Sequence, residues 1–196
     1  MRALWILVAL CSVAVAAPKK HDAGAMVIVL DRSGSMQGPK LEAVREATRA
    51  IIETLEATDE VAVIAFDSDA SVLIPLQKVT NKKTLQAAMK ELKSGGGTNI
   101  LPGLQEAKTA VHASKLKLKH VIVLTDGEAP SDGIAEVAKS IAEDDHATIS
   151  SIGVAGADRN ILSLIADAGG GRLYMVEDLG SIPKIFLKEI KAAFKR

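Results

Sequence analysis

Residues 25–35 read Ala25-Met26-Val27-Ile28-Val29-Leu30-Asp31-Arg32-Ser33-Gly34-Ser35, an unbroken apolar run that stops in a polar D-x-S-x-S turn. A run without alternation predicts a strand covered on both faces, as in the middle of a parallel sheet. Val61 to Phe66 (VAVIAF) and His120 to Leu124 (HVIVL) repeat the pattern, and Ala147 to Val154 and Arg172 to Val176 supply two further strands. Ser71 to Leu76 (SVLIPL) follows Phe66 after only Asp67-Ser68-Asp69-Ala70, too short a link for a parallel crossover. This strand therefore pairs antiparallel, and Pro75, which lacks a backbone donor, places it at the sheet edge.

Between the strands, apolar residues recur at helical spacing: Leu41, Val44, Ala47, Ile51 and Leu55; Leu85, Met89 and Leu92; Leu104, Ala107 and Val111. Ile134 to Ile141 and Ile161 to Ile165 mark two more helices, and Ile182, Ile185, Phe186, Ile190, Ala193 and Phe194 give the last one a core-facing stripe. Breaks fall at Gly38-Pro39, Gly95 to Gly97, Ala129-Pro130 and Gly169 to Gly171. The expectation is an α/β fold: a doubly wound, mostly parallel six-stranded sheet with one antiparallel edge strand and helices on both faces.

The chain has 196 residues, 48% of them hydrophobic, which suits one domain with an ample core and excludes disorder as the main state. Lys+Arg and Asp+Glu both number 24, so no basic excess attracts a phosphate backbone. With 3% aromatic residues, base-stacking platforms are excluded as well. Met1-Arg2 followed by the apolar run Ala3 to Ala17, with Ala14-Val15-Ala16 as a small-x-small pattern, reads as a signal peptide over residues 1–16. Residues 17–22 then form a short tail and 23–196 the domain, in an exported protein that is periplasmic or secreted. An uncleaved run would instead anchor it to a membrane, although the run is shorter than the roughly 20 apolar residues a span requires. A lipid attached at Cys11 is disfavoured by the bulky Leu10 before it. Cleavage removes Arg2 and Cys11, leaving one net negative charge and no possible disulfide.

Ligands of doubly wound sheets bind outside the carboxyl ends of the strands, where the strand order reverses. Three loops carry oxygen donors to that rim: Asp31, Ser33 and Ser35 after the first strand, Thr98 behind the glycines Gly95 to Gly97, and Asp126 after the His120 strand. Oxygen donors without His or Cys suit a hard cation, Mg²⁺ or Mn²⁺, with Ca²⁺ sharing the preference, and they disfavour zinc. The alternating spacing lets Asp31, Ser33 and Ser35 wrap one point, with Gly34 permitting close backbone approach. Each donor also has a bland explanation. Ser33 and Ser35 could cap the following helix, Thr98 could cap the Ile100 helix, and Asp126-Gly127 is an ordinary turn dipeptide. Five such explanations at once are a poorer account than a shared site.

These residues resemble the von Willebrand factor type A domains that carry a metal-ion-dependent adhesion site, and the resemblance spans Ala23 to Phe194. D-x-S-x-S is matched by Asp31, Ser33 and Ser35, the threonine of the glycine loop by Thr98, and the aspartate after the fourth strand by Asp126. Short loops make the chain look most like the compact bacterial type. The resemblance implies a Rossmann-like fold, Mg²⁺ or Mn²⁺ coordinated at these five positions, and a protein partner presenting Asp or Glu. It implies no catalysis, and it implies that the last helix, Ile182 to Phe194, shifts on ligand capture. Arg32, Met36, Gly97, Asn99 and Glu128 are then expected to shape the contact surface.

Other chemistries fit less well. Ser33 lacks the flanking glycines of a hydrolase elbow, and His21, His112, His120 and His146 fall away from the rim loops. Asp31 could serve as the nucleophile of a phosphatase-like hydrolase, but the second acid such sites place two residues on is Ser33 here. Neither a P-loop nor G-x-G-x-x-G after a strand is present, so no nucleotide is expected. A purely stabilising ion is a further alternative. Asp67 and Asp69 could hold a second cation or simply form a solvated turn, and Lys115 to His120 reads as a solvated basic stretch.

Overall fold

The computed structural model describes residues 22–194. The expected leader, residues 1–16, and all but the last residue of the tail lie outside them. Six strands form one sheet: β1 (Gly24–Asp31), β2 (Glu60–Phe66), β3 (Ala70–Lys78), β4 (Leu118–Thr125), β5 (Thr148–Val154) and β6 (Gly170–Val176), in the order β3-β2-β1-β4-β5-β6. All neighbours pair parallel except β2 with β3, which is antiparallel at the edge, as the short link and Pro75 require.

Every residue of β1 is buried, with Met26, Ile28 and Leu30 facing one layer and Val27 and Val29 the other. Helices α1 (Pro39–Thr54), α2 (Lys82–Ala88) and α6 (Ile182–Ala193) cover the first face. Helices α3 (Ile100–Ala113), α4 (Ile134–Glu143) and α5 (Arg159–Ala168) cover the second. Two apolar layers explain why β1 shows no alternation. Each large side chain so buried, such as Ile28 or Phe186, contributes roughly 1.5–3 kcal/mol relative to exposure.

The break at Gly38-Pro39 is the start of α1: Gly38 sits at φ 81 as N-cap, and Pro39 presets the first helical turn. This corrects one bland alternative, since neither Ser33 nor Ser35 caps α1. The basic stretch Lys115 to His120 is also corrected, because β4 begins at Leu118 and His120 is only 2% exposed. Its ring lies between Thr148 and Glu189, with Nδ1 2.7 Å from Thr148 Oγ1 and Nε2 3.2 Å from Glu189 Oε2. Glu189, fully buried on α6, also accepts hydrogen bonds from Ser150, from Tyr174 at 2.6 Å and from Arg172 at 3.1 Å. One carboxylate thus ties α6 to β4, β5 and β6. Among the described residues, no helix is long and apolar enough to cross a membrane.

Candidate metal centre

The strand order reverses between β1 and β4, and the loops leaving their carboxyl ends meet there. Asp31 is the last residue of β1 and Thr125 the last of β4, in neighbouring strands. Asp31 is completely buried, with Oδ1 accepting from the Ser33 backbone N–H at 2.7 Å and Oδ2 from the Thr125 hydroxyl. The bond to its own second residue on is an Asx turn, which bends the chain sharply enough to present Ser33 and then Ser35 beside the aspartate. Ser33 and Ser35 hydroxyls are 3.1 Å apart, and Ser35 Oγ donates to Asp126 Oδ1 at 2.7 Å.

The glycine loop closes against this turn from the other side. Gly34 N–H donates to the Gly96 carbonyl at 3.2 Å, and Gly95 N–H to the Arg32 carbonyl at 2.8 Å. Gly96 has φ +76, and a Cβ there would lie 2.8 Å from Asp67 Cγ, so the position admits only glycine without a shift. Thr98 then packs on the third loop, its Oγ1 and Cγ2 each 3.1 Å from where a Cβ on Gly127 would stand. The first loop touches the glycine loop, the glycine loop touches the third, and the third returns to the first through Ser35 and Asp126. The three loops that carry the five expected donors therefore meet, with Asp31, Ser33, Ser35 and Asp126 linked by hydrogen bonds and Thr98 packed on the loop of Asp126.

Asn99, not Thr98, caps α3, accepting from Leu101 N–H at 3.3 Å, which leaves the Thr98 hydroxyl free of that task. A Cβ on Gly34 would meet only Gly96 O at 3.7 Å, so close approach is not the reason for that glycine. Met36 is fully buried and belongs to the core, so it takes no part in a contact surface. Asp67 pairs with Arg32 at 2.9 Å, while Asp69 is exposed and bonds its own neighbour's N–H, an ordinary turn. Asp31 is inaccessible and each of its oxygens accepts one hydrogen bond, an environment that disfavours it as the nucleophile of a phosphatase-like hydrolase.

Two participants escaped the sequence. Lys40, in the first turn of α1, places Nζ 2.5 Å from Asp126 Oδ2 and donates to the Ala155 carbonyl at 3.1 Å. Thr125 orients Asp31, and its hydroxyl also accepts from Gly127 N–H at 3.1 Å. A lysine five residues past a serine carries no signal until the Gly38-Pro39 bend returns it to the rim.

Burial pushes the Asp31 carboxyl above its ordinary range; hydrogen bonds from Ser33 and Thr125 work against the rise, and the nearby Asp126 charge adds to it. A buried carboxylate in this position calls for a cation, and the surrounding donors are two carboxylates and three hydroxyls. These five side chains are all oxygen donors, without His or Cys, and so fit a hard ion rather than a soft one. Asp31 and Ser33 form a buried floor, while Ser35 is exposed and Thr98 half-buried at the opening.

Comparison with known proteins places this arrangement in context. The von Willebrand factor type A domain model matches residues 25–188. An uncharacterized protein of Synechocystis sp. is 33% identical over 175 residues, covering 87% of this chain and 41% of that protein. The chain spans between 15% and 41% of the length of the first three curated relatives it matches. Among solved structures, a von Willebrand factor type A protein from Catenulispora acidiphila superposes with TM-score 0.80 at 28% identity, covering 88% of this chain and 43% of that one. Proximal thread matrix protein 1 from the mussel byssus, solved with zinc in its MIDAS motif, has TM-score 0.76 at 22% identity, covering 88% of this chain and 46% of that one, a likeness of fold alone. On the match from residue 25 to residue 188 and on the sheet it describes, this chain belongs to the von Willebrand factor type A domain family.

Proposed function

We propose that this domain binds a protein partner by offering a divalent cation, held by Asp31, Ser33, Ser35, Thr98 and Asp126, to an Asp or Glu of that partner. The observation that carries the reading is the closed contact of three loops, sealed by the 2.7 Å bond between Ser35 and Asp126 and centred on a fully buried Asp31. A bound Mg²⁺ or Mn²⁺ would supply a Lewis-acidic centre that an outside carboxylate completes. Asp31 and Ser33, on the buried floor, orient the site. Ser35 and Thr98, at the opening, leave their outward side to a ligand. Arg32, Gly97, Asn99 and Glu128 surround that opening and give the contact its shape. The family's role in protein interaction and the zinc-occupied relative support the reading, while the all-oxygen donor set favours Mg²⁺ or Mn²⁺ over zinc here. Catalysis forms no part of this proposal. Export, with residues 1–16 as leader, belongs to the same proposal, and N-terminal sequencing of the mature protein is expected to begin at Ala17.

Affinity capture tests the partner directly. Wild type and Thr98→Ala are each immobilised with Mg²⁺ and with chelator. Proteins retained only by wild type in Mg²⁺ are the partners, and replacing one Asp or Glu of such a protein is expected to abolish capture. Identical capture under all four conditions would refute the proposal, and a chelator-sensitive melting temperature with no captured protein would favour a purely stabilising ion.

A further inference from the structure

Lys40 brings a fixed positive charge onto a carboxylate that the proposed site also needs. Its ammonium lies 2.5 Å from Asp126 Oδ2, while the other oxygen of the same carboxylate accepts from Ser35 at 2.7 Å. The Asp126 side chain is inaccessible and that of Lys40 is 28% exposed, so the pair is only partly open to water. A second anchor, the Ala155 carbonyl at 3.1 Å, holds the ammonium against the loop after β5. Pro39 and Gly38 fix the first turn of α1 that carries it. Arg32 is already paired with Asp67, which leaves Lys40 as the cation placed on the donor carboxylates.

The charges at the rim then decide what the site seeks. Asp31 and Asp126 alone would neutralise a divalent ion and leave a loaded site with little pull on an anion. Lys40 cancels one of those two charges. We infer that Lys40 makes the loaded site one charge unit more positive than it would otherwise be, weakening metal uptake and strengthening capture of an outside carboxylate in return. The inference rests on the metal reading above. Charges this partly open to water act through an effective dielectric near 20 and are screened by salt, so the expected effect on affinity is about tenfold.

Calorimetry with Mg²⁺ alone and Mn²⁺ proton relaxation with acetate as the carboxylate probe separate the two effects in the full chain. Lys40→Met is expected to bind Mg²⁺ about tenfold tighter than wild type and to need about tenfold more acetate to displace water from bound Mn²⁺. Lys40→Arg, which keeps the charge, is expected to stay within about twofold of wild type on both measures, a result that lost packing alone would not give. Circular dichroism and melting temperature establish that both variants fold. Equal Mg²⁺ affinity in wild type and Lys40→Met, an unchanged acetate requirement, or Lys40→Arg following Lys40→Met would each overturn the inference while leaving the metal site standing. Uptake by Lys40→Met but not by wild type would support it strongly. No uptake by either would remove the metal reading and this inference together.

Discussion

The Ser35 hydroxyl donates to Asp126 Oδ1 at 2.7 Å, joining residues 91 positions apart in the chain. That bond lies at the point where the strand order reverses, so it connects the two halves of the sheet as well as two loops. Ser35 is free to point there because the Asx turn at Asp31 ends β1 and no helix claims the serine as its cap.

Gly127 gives the Thr98 position its tolerance. A methyl group there would lie 3.1 Å from Thr98 Oγ1, tighter than ordinary contact, so Thr98 must yield by a few tenths of an ångström. Gly127→Ala is expected to keep the stability of the metal-free protein within about 1 kcal/mol of wild type and to weaken Mg²⁺ binding about tenfold, measured by calorimetry.

Asp31 pits stability against binding. Its carboxyl is raised by burial, so in metal-free protein the charge is a burden. Asp31→Asn is expected to melt at or above the wild-type temperature without metal while losing at least about 100-fold in metal affinity, the trade-off typical of functional sites. A melting temperature well below wild type would show instead that the carboxylate is structural.

Metal addition should stabilise the fold by mass action. At about 100 times the dissociation constant, bound ion contributes about 2.7 kcal/mol, or roughly 5–10 °C for a domain of this size. Differential scanning calorimetry should show this rise for wild type, its reversal by chelator, and no rise for Asp126→Ala.

At the opposite end of the sheet, Glu189 governs acid stability. Burial alone would raise its carboxyl, but the His120 ring 3.2 Å away and hydrogen bonds from Ser150 and Tyr174 outweigh that and hold it at about 2, against an ordinary 4.5. Between those values the unfolded chain binds more protons than the fold, so the stability contributed is complete above pH 4.5 and is lost as pH falls toward 2. The Tyr174 hydroxyl, pushed up to about 12 by burial and by its bond to Glu189, adds a loss on the alkaline side. Glu189→Gln is expected to cost about 2 kcal/mol at neutral pH and to flatten the acid limb of denaturant unfolding followed from pH 3 to pH 7. Because this carboxylate fastens α6, it is also the bond that any displacement of the last helix must break.

Most of the fold was legible because burial on both faces leaves an unbroken apolar run, as in Ala25 to Leu30, and a short link admits only an antiparallel strand, as at Ala70–Lys78. The loops of the proposed donors were legible because a strand end followed by a polar turn marks the rim at Asp31 and Asp126, and because glycines before a helix start mark the loop of Thr98. Lys40 and Thr125 were not, since a lysine in a helix and a threonine in a strand have no distinguishing neighbours until the backbone folds them onto Asp126 and Asp31. Glu189 was hidden in the same way: on α6 it reads as a surface charge, and only its four partners on β4, β5 and β6 explain its burial. Met36 misled in the other direction, a core residue sitting inside a polar turn.

Whether five side chains from three loops hold one hard divalent ion is decided by anomalous diffraction from crystals grown with Mn²⁺. A single strong peak is expected about 2.1 Å from the hydroxyl oxygens of Ser33 and Ser35, next to Thr98 and within water-bridging reach of Asp31 and Asp126. A peak at Asp67 and Asp69 instead, or well-ordered crystals with no peak at all, would contradict it.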